Sequence, residues 1–403
     1  MHKTKSAVKF FAICILLGVS GGIIGAGFSF LITFVTKLRL SHGWIICLLP
    51  VASLSIVFIY QKLGIQGMGT NDVLQSADKE NLISAKLPLG IFVTSAISHV
   101  LGASVGREGA ALQIGGGAAT FFAQKFGLTE PQRQILVRAG MSAVFAAVFG
   151  TPLTAFLFAL EIVYVGVIHL KSVIPCFITA FSGYFTARLL GAHPERFHLS
   201  ALPSFSLATV FEIFILTVLV AVLCIGFCHL LHHGEKFAKK VIKNSYLRIA
   251  IGGAIILAFT VFIGTQDYNG AGIQVIERIF EGDKDPASIS FSPEAFLLKL
   301  IFTAVCVSAG FKGGEIVPTL FIGATFGALV ASFGSLPCEF GAALGMVLLF
   351  SGVTNCPLAS IALGFELFSG VGFWYFVPSV LLCFVLSGKS SLYSAQKHKY
   401  NFL

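Results

Sequence analysis

Charge is what this chain has least of. It carries 27 lysines and arginines and 18 aspartates and glutamates among 403 residues, 11% in all. Soluble domains carry about twice that share, so an ordinary water-facing surface is excluded. No C-x-x-C occurs, and the nine cysteines (14, 47, 176, 224, 228, 306, 338, 356 and 383) lie mostly within apolar runs. They read as small packing residues, not as a disulfide framework. A nucleophile–base pair repeated in the sequence is also missing, which argues against an enzyme.

What is present is apolar. Hydrophobic residues make up 56% of the chain and the mean hydropathy is +0.90, the composition of an all-α polytopic membrane protein. Forty-three glycines suit close helix packing in lipid. The net charge of +9 is gathered in a few loops and ends, where it reports topology and contact with membrane lipid and not nucleic acid.

Apolar segments fall near residues 7–37, 43–61, 83–105, 108–126, 132–149, 152–168 and 171–191, then 206–233, 247–264, 293–310, 316–333, 339–351, 355–369 and 371–387. Several are too short to cross a bilayer and many are broken by glycine or proline. Broken, tilted and re-entrant helices are therefore expected, held where protein or a watery cavity surrounds them. The first run is too long for the apolar core of a signal peptide and reads as a first transmembrane helix. Lys3, Lys5 and Lys9, then Lys236, Lys239, Lys240, Lys243 and Arg248, then Lys397, His398 and Lys399 assign both termini to the cytoplasm. The acidic 267–294 loop, with Asp267, Glu277, Glu281, Asp283, Asp285 and Glu294, reads as external.

An internal repeat organises the chain. Gly140-Met141, Pro152-Leu153 and Glu161 recur as Gly345-Met346, Pro357-Leu358 and Glu366, all displaced by 205 positions. Gly106, Ala110, Leu112, Ile114 and Gly115 align with Gly314, Pro318, Leu320, Ile322 and Gly323 at a displacement of 208. Counting crossings from a cytoplasmic N-terminus makes the copies inverted, which places a binding site at the midplane where they meet. The expected organisation is one transmembrane domain over 1–403, with a first repeat 7–191, an inverted second repeat 206–387 and a short C-terminal segment 388–403. No cytosolic regulatory domain is expected. Glu161 and Glu366, equivalent in the two copies, read as caps of backbone amides.

Within the first glycine motif, Arg107 and Glu108 stand between Gly106 and Gly109, amid apolar sequence. Ionisable residues at membrane depth mark pathways or paired sites. The helix that follows directs its N-terminal amides and positive dipole end at this point, which suits an anion. A structural Arg–Glu pair holding two helices together is the plainer alternative. Gly18-Val19-Ser20-Gly21 imitates a serine-protease element, but its glycines read as a packing face. Cys224, Cys228, His229, His232 and His233 gather at one helix end, where cationic side chains are favoured without any metal. No metal and no cofactor is expected.

Together, Gly106-Arg107-Glu108-Gly109, Gly313-Gly314-Glu315-Ile316-Val317-Pro318, the two Pro-Leu-x7-Glu elements and Leu392-Tyr393-Ser394-Ala395 resemble the CLC family of anion channels and anion/proton antiporters. The resemblance runs from the first helix to Tyr393. It implies an inverted-repeat fold and a homodimer with one pore per subunit, whose partners are a halide anion and protons. Residue by residue, it makes Glu108 the gating and proton-carrying glutamate. It makes Gly314, Glu315, Ile316 and Val317 the second half of the anion site, Gly106, Arg107 and Gly109 the first, and Tyr393 the inner hydroxyl. Met68, beside Gly67, stands where chloride-selective members carry serine.

Ala110 replaces the usual proline, Ile162 replaces the internal proton-transfer glutamate, and Met68 removes a hydroxyl donor. Met68 and Glu315 together resemble the fluoride-exporting branch, whereas Val317 stands where that branch carries a hydroxyl. The implied function is halide transport, of fluoride or chloride, in exchange for protons across a bacterial plasma membrane. A passive chloride channel of the same family and, more distantly, an intramembrane hydrolase are the alternatives. Fluoride is small and accepts hydrogen bonds strongly, so backbone amides and a protonated Glu108 suit it. The competing reading of Met68 is plain helix packing.

Overall fold

The computed structural model describes residues 2–79, 83–281 and 292–398, with side chains from residue 7 onward. Asp283, Asp285, Lys399 and the end of the C-terminal segment lie outside these residues. Helices account for nearly all the regular structure: α1 (His2–Ser41), α2 (Leu49–Ala52), α3 (Leu54–Leu63), α4 (Thr70–Ser76), α5 (Leu87–Leu101) and α6 (Glu108–Lys125). There follow α7 (Glu130–Phe149), α8 (Pro152–Glu161), α9 (Leu170–Leu189), α10 (Leu207–Val241), α11 (Ser245–Ile263) and α12 (Ile273–Glu281). The chain continues through α13 (Ala295–Ala309), α14 (Ile316–Ala331), α15 (Cys338–Thr354), α16 (Pro357–Leu367) and α17 (Phe373–Ser387).

Among the described residues only α1 from Ala7, α10 and α11 are single helices long and apolar enough to cross a membrane. The helices Gly43–Ala52 and Leu54–Leu63, bent by 49° at a short break, are long and apolar enough only when taken together. The apolar helices α5, α8 and α13 to α17 are shorter, at 10–17 residues, in keeping with the glycine and proline breaks. Prolines open α8 and α16, where the missing N–H costs no helical bond. Large apolar side chains such as Leu189, Phe262 and Trp374 stand exposed on the outside, as lipid-facing positions do.

Small residues let the helices approach. A methyl added at Gly115 would strike the backbone of Gly140, and one at Gly323 would strike Gly345. The α6–α7 and α14–α15 contacts are thus built alike, at the positions the repeat aligns. In α1, Gly22 faces Gly183 and Gly25 faces Ala147, so the motif around Ser20 lies on a packing face.

The two copies also lock together through their glutamates. Glu161 accepts from the amides of Leu358 (3.2 Å) and Ala359 (2.8 Å) at the start of α16. Glu366 accepts from Leu153 (2.9 Å), Thr154 (2.8 Å) and the Thr154 hydroxyl (2.6 Å) at the start of α8. Each carboxylate satisfies first-turn amides that have no partner within their own helix.

Candidate functional site

The chain reaches the site twice, each time through a glycine turn that opens a helix. Gly106 and Gly314 form an antiparallel bridge, with N···O distances of 2.5 and 2.7 Å in the two directions. The backbones touch closely enough that a Cβ at Gly109 would lie 2.7 Å from Gly314 Cα. From this junction α6 and α14 depart with their N-termini facing it, so two sets of free amides and two positive dipole ends converge.

Glu108, the first residue of α6, is fully buried. Its Oε2 accepts from the Arg107 amide at 3.1 Å. A Cβ at Gly106 would lie 3.0 Å from that same oxygen and 3.2 Å from the Val317 nitrogen. The carboxylate and the opening of α14 therefore flank Gly106 together. The Arg107 guanidinium contacts Glu108 Oε1 at 3.3 Å, bonds Ser29 Oγ at 3.1 Å, and pairs with Glu195.

On one side of the junction lies a cavity of about 470 Å3, lined by Gly67, Met68, Gln113, Lys312, Glu315 and Tyr393 among others. Tyr393 is buried, and its hydroxyl has no protein partner among the described residues. The strap that carries it is tied at several points. Leu392 N bonds the Val353 carbonyl (2.8 Å), Ala395 N bonds Asn71 Oδ1 (3.0 Å), and Gln396 Nε2 bonds the Thr354 carbonyl (2.7 Å). Beyond it, β2 (Lys397–His398) runs parallel to β1 (Tyr164–Val165).

The family model described as "Voltage gated chloride channel" matches residues 51–388, which includes both glycine turns.

The chain belongs to this family.

A chloride/fluoride channel protein from Pseudomonas syringae pv. tomato is 30% identical over 397 residues, covering 96% of this chain and 86% of its own. The crystal structure of a CLC-type fluoride/proton antiporter superposes with a TM-score of 0.91 at 27% identity, over 98% of both chains. A slow cyanobacterial Cl-/H+ antiporter shares the fold, with a TM-score of 0.77 at 17% identity over 94% of both chains. These likenesses bear out the inverted-repeat CLC fold expected from the sequence.

Gly106, Arg107, Glu108 and Gly109 meet Gly314, Ile316 and Val317 at the junction. Gly67, Met68, Glu315 and Tyr393 share the cavity. Met68 lines the cavity with Tyr393, whereas Glu108 is not among the lining residues. The α4 helix begins at Thr70, and Asp72 accepts from the Gly69 amide at 2.9 Å.

Three residues escaped the sequence reading. Glu195, the partner of Arg107, lies in an irregular stretch far from any motif. Gln113 donates to Thr70 Oγ1 at 3.1 Å and leaves its buried Oε1 unpartnered; a polar residue one turn into α6 was the available signal. The third, Lys312, immediately precedes the second glycine turn. Among the described residues no group of three or more His, Cys, Asp or Glu side chains is placed to hold a metal. His229 and His232 instead line a second cavity, of about 450 Å3, together with Lys389 and Tyr393.

Proposed function

We propose that this chain exchanges a halide, with fluoride favoured over chloride, for protons across a bacterial plasma membrane. The observation that carries the reading is the burial of Glu108 between two converging helix N-termini. A carboxylate there is an anion in an anion's place. When it takes a proton, its negative charge no longer competes, and a halide can be held by the amides of Ile316 and Val317. Proton uptake and anion binding then favour each other, which couples the two fluxes.

Arg107 stays engaged with Glu195 and Ser29, so it acts as a fixed positive charge beside the gate. Tyr393 offers a hydroxyl at the cavity end, and Met68 offers bulk with only a weak thioether acceptor. The Pseudomonas relative and the fluoride/proton antiporter structure support the choice of fluoride.

The chain acts as one transmembrane unit, with repeats 7–191 and 206–387, both termini cytoplasmic and two copies forming a homodimer, as the family resemblance implies. Crosslinking in bilayers checks the last point: a product of twice the chain mass is expected, and full transport by monomers alone would exclude it.

The deciding experiment follows anion efflux from proteoliposomes while recording external pH. Fluoride efflux faster than chloride efflux, with opposed proton movement, is expected. Chloride flux without proton movement would favour a passive chloride channel instead.

A further inference from the structure

The cavity below the junction contains charged side chains of both signs, and most of them are engaged. Lys239 pairs with Glu235 at 2.5 Å. Asp72 accepts from the Gly69 amide, and Arg248 donates to the Ile242 carbonyl (3.0 Å) and the Ser245 hydroxyl (3.3 Å). Lys312 and Glu315 remain. Among the described residues no carboxylate lies within ion-pair distance of Lys312.

The Lys312 ammonium stands instead over the ring of Tyr60, 4.2 Å from its centroid. The other end of the residue is fixed as well, because its amide donates to Ser98 Oγ at 3.2 Å. Tyr60 is buried in the core, so the ring is a rigid support. Cation–π attraction is strongest where water is scarce. Glu315 is only three positions away in the same turn, and a lysine free to swing would pair with it. Resting on the ring, the ammonium keeps its positive charge without neutralising Glu315.

The geometry points to Lys312 as the cation that captures the anion on the Met68–Tyr393 side and passes it to the opening of α14. This deepens the halide reading and rests on it. An ammonium is a compact point charge with three donors and suits a small hard anion. A cation in a narrow, partly dehydrated mouth also raises the local anion concentration, an effect that salt screens. Lys312 is a positioning residue: it attracts and orients the anion, and the proton chemistry stays with Glu108.

The test measures initial anion flux against anion concentration in proteoliposomes, at two strengths of an untransported salt on both faces. Lys312→Met is expected to raise the half-saturating concentration about tenfold, with the maximal rate little changed and a flatter salt dependence. Lys312→Arg should stay near wild type. Tyr60→Leu retains the charge but releases it toward Glu315, so it should shift half-saturation in the same direction as Lys312→Met. A folded Lys312→Met protein with wild-type half-saturation and salt dependence overturns the assignment. Should Lys312→Met fail to fold, Tyr60→Leu decides, and wild-type half-saturation there overturns it equally. If the wild-type protein carries a different anion, the halide reading alone fails, because Lys312 is read out in the same way with that anion.

Discussion

Glu108 stands at the meeting of two helix termini, and replacing it separates the two fluxes. Glu108→Gln retains the shape and hydrogen-bonding capacity but can neither compete as a charge nor carry a proton. Proton movement should fall to background in the pH-recording efflux assay, whether anion flux persists or stops. Retained coupling would remove Glu108 from its role. Met68 is the residue to alter for ion choice. Met68→Ser restores a donor and removes bulk, so the fluoride-to-chloride flux ratio should fall by about two- to tenfold, the range that one neutral hydrogen bond allows. A methionine that only packs predicts a lower melting temperature and an unchanged ratio. At this scale the sequence displayed its motifs well, since Arg107 and Glu108 stand out against an apolar background, whereas Tyr393 was marked by the family resemblance alone. Glu195 was hidden because no local pattern links it to Arg107, 88 positions away. Lys312 was hidden because a lysine beside glycines looks like a loop charge until Tyr60 is seen beneath it.

Helix boundaries were readable where proline and glycine punctuate them. Pro152 and Pro357 open α8 and α16, and Gly102 and Gly310, with φ of 87° and 101°, close α5 and α13. The positive φ suits glycine because it has no Cβ to clash. The role of the paired glutamates was also legible, because matching positions in both repeats suggested capping. The reciprocal pairing was not legible, since each carboxylate caps the other copy's helix. Removing one cap leaves buried first-turn amides without partners. Glu366→Ala should therefore destabilise the protein by about 2–4 kcal/mol, seen as a lower unfolding temperature in detergent, and Glu161→Ala by a comparable amount. A melting temperature within error of wild type for both would show that water satisfies these amides. The strap from Leu392 to His398 was legible only as part of a short C-terminal segment, because its order comes from backbone and side-chain bonds to the distant Asn71, Val353 and Thr354 and not from any period of its own.

For the whole molecule, the repeat and the basic loops give an arrangement that one native thiol can test. With the N-terminus inside, α1 crosses once and delivers the turn after it to the outer face. Cys47 lies in that turn, in the short 310 helix Gly43–Leu48, and among the nine free thiols it is the exposed one. The opposite face is marked independently: Lys9 near the start of α1 donates to the Phe126 carbonyl at the end of α6 (3.3 Å). Lys239 and Arg248, from the basic 236–248 stretch, border the cavity that holds Tyr393. The bridge between Ser200 and Glu339 ties the 192–206 stretch to the start of α15, on the face that carries Cys47 if the copies are inverted. A membrane-impermeant maleimide applied to intact cells should therefore label the wild-type protein rapidly, and Cys47→Ser should remove most of that signal. The residue should be slow labelling at the half-exposed Cys338. Labelling of Cys47 only after permeabilisation would turn the molecule over, placing Glu108 toward the cytoplasm and the Met68–Tyr393 cavity outside. The direction assigned to anion capture by Lys312 would then reverse, while the contacts that hold its charge would not.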